Sequence, residues 1–250
     1  DMERALAGVA HLSIGCAASL QNGVVKNQQI AQVFGWDKVI GATTMIGAAL
    51  AQDGEVKYTF DGVTFFGELD GHYPERAHQI VDLFVQSGLK ASVADDIVSI
   101  EWTKQAIQNP FAPLSAITRL PVYRVWSNPQ LAALSVHMFR EVATVAQAHG
   151  VALSEHSAWG LFNMKILRDA PFDEAVRLLV EIGERVAARG GPPIIPSMLQ
   201  DVLAGKQTEI EETVGYVLKE GRRLGIPVPY TEFAYRMVKA IEQTYDGRLS

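Results

Sequence analysis

One cysteine, Cys16, occurs in 250 residues. That scarcity excludes an internal disulfide and any cysteine-rich metal centre, and it fits a reducing cytoplasm. Basic runs are missing as well: 22 Lys and Arg stand against 28 Asp and Glu, for a net charge of −6. Such a balance argues against a nucleic-acid or anionic-membrane surface. No apolar stretch approaches the roughly 18 residues of a membrane span. The longest candidate, Val39 to Leu50, is too short and too rich in Gly and Thr. The opening Asp1-Met2-Glu3-Arg4 has no basic n-region and no cleavage site, and reads as no secretory signal. G-x-S-x-G elbows and phosphate loops are absent, so hydrolase and nucleotide-kinase chemistry has no support. The six histidines (His11, His72, His78, His137, His149 and His156) lack ligand spacing and read as surface or cap residues, with no metal expected.

What remains is the composition of a globular protein, 48% hydrophobic and 20% charged, long enough for one or two domains. Residues 1–93 read as alternating strands and short helices. His11 to Leu20 looks like a buried strand ending at Gln21-Asn22-Gly23, Asn27 to Phe34 like a helix, and Lys38 to Gly47 like another strand. Val56–Phe60 and Val63–Gly67, joined by Asp61-Gly62, carry a hairpin signature. Pro74 to Ser87 is amphipathic, and Lys90 to Val93 suits a last short strand. From residue 94 the pattern is helical. One helix starts near Asp95 or Asp96 and is expected to break or kink at Pro110 to Pro113. Further helices are expected over Leu131–His149, Ser154–Arg168, Phe172–Arg189, Met198–Leu224 and Thr231–Tyr245. Trp102, Trp126 and Trp159 fall within helical patterns and suit a core or an interface.

The α/β part lacks one diagnostic element. A doubly wound dinucleotide domain opens with G-x-G-x-x-G ahead of a helix that receives the pyrophosphate. Gly41 and Gly47 have the wrong spacing, and Gly15 stands alone.

Lys104 is the residue most out of place. Ile97, Ile100, Ile107 and Phe111 recur at helical steps, and Lys104 fills the gap in that stripe. An ammonium aimed at a core is costly unless paired, hydrated or catalytic; the bland alternative is a stem that packs while its head snorkels out. Two acids, a hydroxyl and an amide also stand out. Glu209, read as lying on the long Met198–Leu224 helix at the margin of its apolar stripe, either faces a cleft or is solvated beside Glu211 and Glu212. Ser197 after Pro196 suits an N-cap, and Asp201 suits a structural first-turn acid. Asn22 is either a turn residue before Gly23 or a crevice residue beyond a strand's carboxyl end.

The order Glu101-Trp102-Thr103-Lys104, Pro113-Leu114-Ser115-Ala116, Ser197-Met198-Leu199-Gln200-Asp201 and Thr208-Glu209-Ile210, with Gln21-Asn22-Gly23 upstream and Gly225-Ile226-Pro227 downstream, resembles the ketopantoate reductases (2-dehydropantoate 2-reductases) from about Ala18 to Ile241. The Ser-Met-x-Gln-Asp…Thr-Glu-Ile segment is its most specific part. The resemblance implies the C-terminal half of a Rossmann-like NADP-binding domain (1–93), then a helical substrate and dimerisation domain (94–250) of the 6-phosphogluconate dehydrogenase C-terminal type. It implies a cytoplasmic homodimer that reduces a small 2-oxo acid with NADPH, ketopantoate to pantoate in pantothenate and CoA biosynthesis. Lys104 would be the general acid, Glu209 its partner at substrate and cofactor, and Ser197 a substrate contact. Asn22 would lie beside the nicotinamide and help to place Lys104, with Thr43 and Thr44 as further cofactor contacts.

Departures matter. The family's asparagines four and eight residues after the lysine are here Gln108 and Ala112, with Asn109 one residue off register; a third is Ile194, and an Asn-Gly is Val214-Gly215. Gln108 and Asn109 are the candidates to replace those contacts, and a more apolar 2-oxo acid is the alternative substrate. Because the family's glycine-rich turn precedes its Asn-Gly, a piece of a longer gene product is expected. A short, non-catalytic or regulatory relative is the competing expectation.

Overall fold

The computed structural model describes residues 2–71, 75–155, 160–190 and 193–245. The chain divides into two compact units, residues 1–101 and 102–250, and the division falls inside one helix.

The first unit is α/β. It contains α1 (Met2–Val9), α2 (Lys26–Phe34), β1 (Ile40–Thr44), β2 (Gly47–Gln52), β3 (Glu55–Phe60), β4 (Thr64–Glu68), α3 (Glu75–Gln86), β5 (Ala91–Val93) and the start of α4 (Ile97–Thr118). β4 lies between β1, antiparallel, and β5, parallel, so β4–α3–β5 is a βαβ crossover. Ile40, Ala42 and Phe66 from the sheet pack on Ala77 and Val81 of α3. Each large apolar side chain so buried is worth about 1.5–3 kcal/mol.

The expected hairpin is not formed by the two segments around Asp61-Gly62. β3 pairs instead with β2, from Gly47 opposite Phe60 to Gln52 opposite Glu55, and the turn is the other Asp-Gly, Asp53-Gly54. Gly54 has φ +82°, the left-handed region such a turn requires, whereas Gly62 does not. β1 and β2 form one arm of a long antiparallel ribbon, and β3 and β4 form the other. The Met45 N–H bonds the Val63 carbonyl at 2.9 Å where the arms change register. The expected Lys38–Gly47 strand is observed as β1, which ends at this irregularity, and β2 starts just beyond it at Gly47. Gly62 serves it differently: a Cβ there would sit 2.2 Å from the Met45 carbonyl oxygen. Gly62→Ala is expected to cost about 1–3 kcal/mol through this overlap, read as a lower urea midpoint at unchanged slope; an unmoved midpoint would show that the ribbon relaxes freely.

His11–Leu20 is not a buried strand either. Ala17 makes one parallel bridge, to Val39, with bonds of 2.8 and 2.9 Å, and the rest of the segment is irregular and largely exposed. α1, absent from the sequence expectations, packs Met2 and Leu6 on Ile30 and Val39.

The second unit is helical: the remainder of α4, then α5 (Val122–Ser127), α6 (Pro129–Ala148), α7 (Met164–Asp169), α8 (Phe172–Arg189), α9 (Ser197–Ala204), a π-helical turn (Glu211–Gly215), α10 (Tyr216–Leu224) and α11 (Pro229–Gln243). Asp96 caps α4, its Oδ1 accepting the Ser99 N–H at 2.9 Å. Of the break or kink expected here, no break occurs: α4 continues through Pro110 and Pro113. Each proline removes one backbone donor, and burial of Ala112, Leu114 and Ala116 around them holds the helix together. Asn128 caps α6 by accepting from Gln130 and Leu131. Of the helix expected over Ser154–Arg168, the described residues form α7 alone; Trp159 and His156 lie outside the described residues. The single Met198–Leu224 helix is also overturned. α9 stops at Gly205, φ +66° in the left-handed region, and a loop precedes the π-helical turn. Trp102 and Trp126 are buried, as a core role requires.

Candidate active site

Within the helical unit Lys104 is 8% exposed on α4. Gln108 and Ala112 follow at steps of four, which keeps them on neighbouring positions of the same helix surface. Gln108 is half-buried and Ala112 buried. Glu209 does not ride on a helix between Met198 and Val202, as expected; it lies in the bend after Gly205. That bend returns it to the start of α9, where the Ser197 hydroxyl donates to Glu209 Oε1 at 3.1 Å. Ser197 makes no capping bond, and Pro196 occupies the cap position of α9. The serine's hydroxyl is thereby committed to the glutamate. Asp201, also in α9, has its carboxyl pushed above the usual range by burial, against the opposing pull of Lys206.

Asn109 and Gln105 form a polar pair that sequence reasoning only half identified. Gln105 Nε2 donates to the Thr213 carbonyl at 3.0 Å and to Asn109 Oδ1 at 2.8 Å. A carbonyl can only accept, so the orientation of Gln105 is set, and through it that of Asn109. The buried Nδ2 of Asn109 is left without a partner among the described residues. An unmet buried donor costs about 1–3 kcal/mol. Gln108, Asn109, Ala112, Met198, Glu209, Thr213 and Val214 line one narrow groove. Ile194 lies elsewhere, 47% exposed.

Within the α/β unit Asn22 is half-buried in the turn before α2. Thr43 is 4% exposed, and Thr44 Oγ1 pairs with Thr64 Oγ1 at 2.8 Å. The centre of this unit is an acid that the sequence did not advertise, Glu101. Its Oε1 meets Lys26 Nζ at 2.9 Å and accepts the Ala42 N–H at 3.0 Å, and its Oε2 accepts from Asn27 Nδ2 at 2.7 Å. Lys26 also donates to the Gly23 carbonyl at 2.9 Å, next to Asn22. Both charged side chains are 3% exposed. The partners lie 59 to 74 residues apart by hydrogen bond, which no local pattern reveals.

Residues 96–242 match the family model described as the C-terminal part of ketopantoate reductase PanE/ApbA, and residues 1–71 match its companion, ketopantoate reductase PanE/ApbA. The chain belongs to the ketopantoate reductase family. The 2-dehydropantoate 2-reductase of Archaeoglobus fulgidus is 28% identical over 97% of this chain and 73% of its own length. A PanE/ApbA family ketopantoate reductase from Ralstonia eutropha superposes with a TM-score of 0.77 at 24% identity, covering 98% of this chain and 74% of the other. A D-mandelate dehydrogenase solved with NADH and anilino(oxo)acetate superposes at 0.80 with 20% identity, over 98% of this chain and 74% of its own. As in other ketopantoate reductases, a Rossmann-like N-terminal part is followed by a helical C-terminal part. Among the described residues no helix is long and apolar enough to cross a membrane.

Proposed function

We propose that this protein reduces the keto group of a 2-oxo acid with the hydride of a nicotinamide dinucleotide, giving the 2-hydroxy acid. Ketopantoate with NADPH is the first choice of substrates, which places the enzyme in pantothenate and CoA biosynthesis in the cytoplasm. The observation that carries this reading is the Ser197–Glu209 hydrogen bond of 3.1 Å. It joins two residues twelve positions apart that the family resemblance independently assigns to substrate. In this reading the hydride adds to C2, Lys104 delivers a proton to the carbonyl oxygen, and its ammonium stabilises charge developing there. Glu209 orients the lysine and the substrate, Ser197 and Gln108 contact the substrate, and Asn109 Nδ2 donates to an acceptor on it. The dinucleotide supplies the hydride; within the α/β unit the residue that suits its nicotinamide end is Asn22, and within the helical unit the family resemblance assigns Glu209 to cofactor as well as substrate. Thr43, being buried, and Thr44, being paired with Thr64, support cofactor contact less well.

A second reading, the same chemistry on a more apolar 2-oxo acid, is favoured by Ala112, Met198 and Val214 along the groove. The kinship in fold with a D-mandelate dehydrogenase bound to anilino(oxo)acetate agrees with it. A homodimer is proposed through the helical unit, where Phe233 and Met237, one turn apart on α11, are 55% and 37% exposed.

The test is oxidation of NADPH and NADH by the full-length protein with ketopantoate and a panel of aryl and branched-alkyl 2-oxo acids. Turnover fastest with ketopantoate is the expected result. Turnover confined to the apolar acids selects the second reading, and none with any of them overturns both.

A further inference from the structure

Resting on the role just proposed for Glu209, we propose that Glu242 is a positioning residue for that site. Glu209 belongs to an irregular stretch, residues 205–210, with no ladder of its own to fix it. It is held from outside. On one side Glu242 Oε1, from α11, accepts both the Thr208 N–H at 2.8 Å and the Thr208 hydroxyl at 2.7 Å. On the other, the Glu209 carbonyl accepts the Thr213 N–H at 3.2 Å and its hydroxyl at 2.7 Å. The Thr208–Glu209 segment is thus held at both its ends while the Glu209 side chain stays with Ser197.

Glu242 is suited to act as a fixed post. Its side chain is 2% exposed, and Oε2 is paired with Lys239 Nζ at 2.9 Å. Lys239 reaches across to Glu211 Oε1 at 3.0 Å, and Glu211 accepts the Tyr235 hydroxyl at 2.9 Å. A charge buried among directional donors cannot swing without losing them, and charge-assisted bonds of this kind are short and strong. Burial opposes its ionisation, yet the Thr208 N–H, the Lys239 ammonium and the Thr208 hydroxyl together hold its carboxyl below the usual carboxylate range. Glu242 touches no substrate in this scheme; it acts through Thr208.

The experiment is a mutant cycle in the full-length protein with its best substrate. Glu242→Gln weakens the post, Thr208→Val removes the hydroxyl but keeps the Lys239 pair, and Glu209→Gln removes the acid. A misplacement on the order of 1 Å predicts a loss of about 10- to 100-fold in kcat for Glu242→Gln. KM is expected to change little, and Thr208→Val to lose part of the same factor. In the Glu209→Gln background both losses should vanish, which a merely structural residue would not produce. Should Glu242→Gln fail to fold, Thr208→Val carries the same cycle. A normal loss in Glu209→Gln with unchanged kcat in the other two, or equal losses in both backgrounds, overturns this inference alone. An unaffected Glu209→Gln overturns it together with the proposed function.

Discussion

Lys104→Ala is expected to lower kcat/KM by at least 100-fold while leaving dinucleotide binding within a factor of about two. Positioned proton donors contribute about 10²- to 10⁴-fold, and without one the alkoxide must form unprotonated and without a neighbouring cation. Lys104→Met separates charge from bulk, because it keeps most of the buried stem. Equal losses in the two variants assign the effect to the ammonium. A loss in the alanine variant alone would make Lys104 a packing residue and remove the general acid from the scheme. Single-turnover kinetics should place the whole deficit in the hydride-transfer step, since the interaction is made with charge that exists only there.

The largest effect on stability is expected at Glu101. Replacing it by alanine leaves the Lys26 ammonium, 3% exposed, with the Gly23 carbonyl and no carboxylate. It also strips the buried Ala42 N–H and the Asn27 amide of their acceptor. Removing one member of a buried ion pair costs about 3–5 kcal/mol, because the surviving charge stays desolvated. Guanidinium unfolding should show this as a lower midpoint. Lys26→Met combined with Glu101→Gln should recover a substantial part, since no net charge is then left inside. A double variant as unstable as the sum of the singles would mean that the two charges do not act as a pair.

How far the sequence foretold these features depended on the range of the interactions involved. α8 appeared where it was expected because Pro171 and Gly190 punctuate it locally, and Lys104 betrayed itself by interrupting an apolar stripe. The ribbon was misread because two Asp-Gly pairs compete for the same turn signal, and only pairing across the sheet decides between them. α4 passes through two prolines because tertiary burial outweighs a local breaker. Of the site, Ser197 and Glu209 were named through resemblance, but their meeting depends on a loop shape that a periodic reading had smoothed into one helix. The pairing of Glu101 with Lys26 gave no warning, although Glu101 opens the run Glu101-Trp102-Thr103-Lys104 that carries the resemblance. Each looks ordinary among its neighbours in sequence, and only the fold brings them together.

Gly205 has a consequence beyond ending α9. Along a straight helix, at 1.5 Å per residue, Ser197 and Glu209 would stand about 18 Å apart on the axis. The left-handed glycine folds that separation into one hydrogen bond of 3.1 Å. The Ser197–Glu209 pair is therefore created by an interruption. A descendant of this chain that merely repaired the interruption would keep every polar side chain of the site and still have none of its geometry.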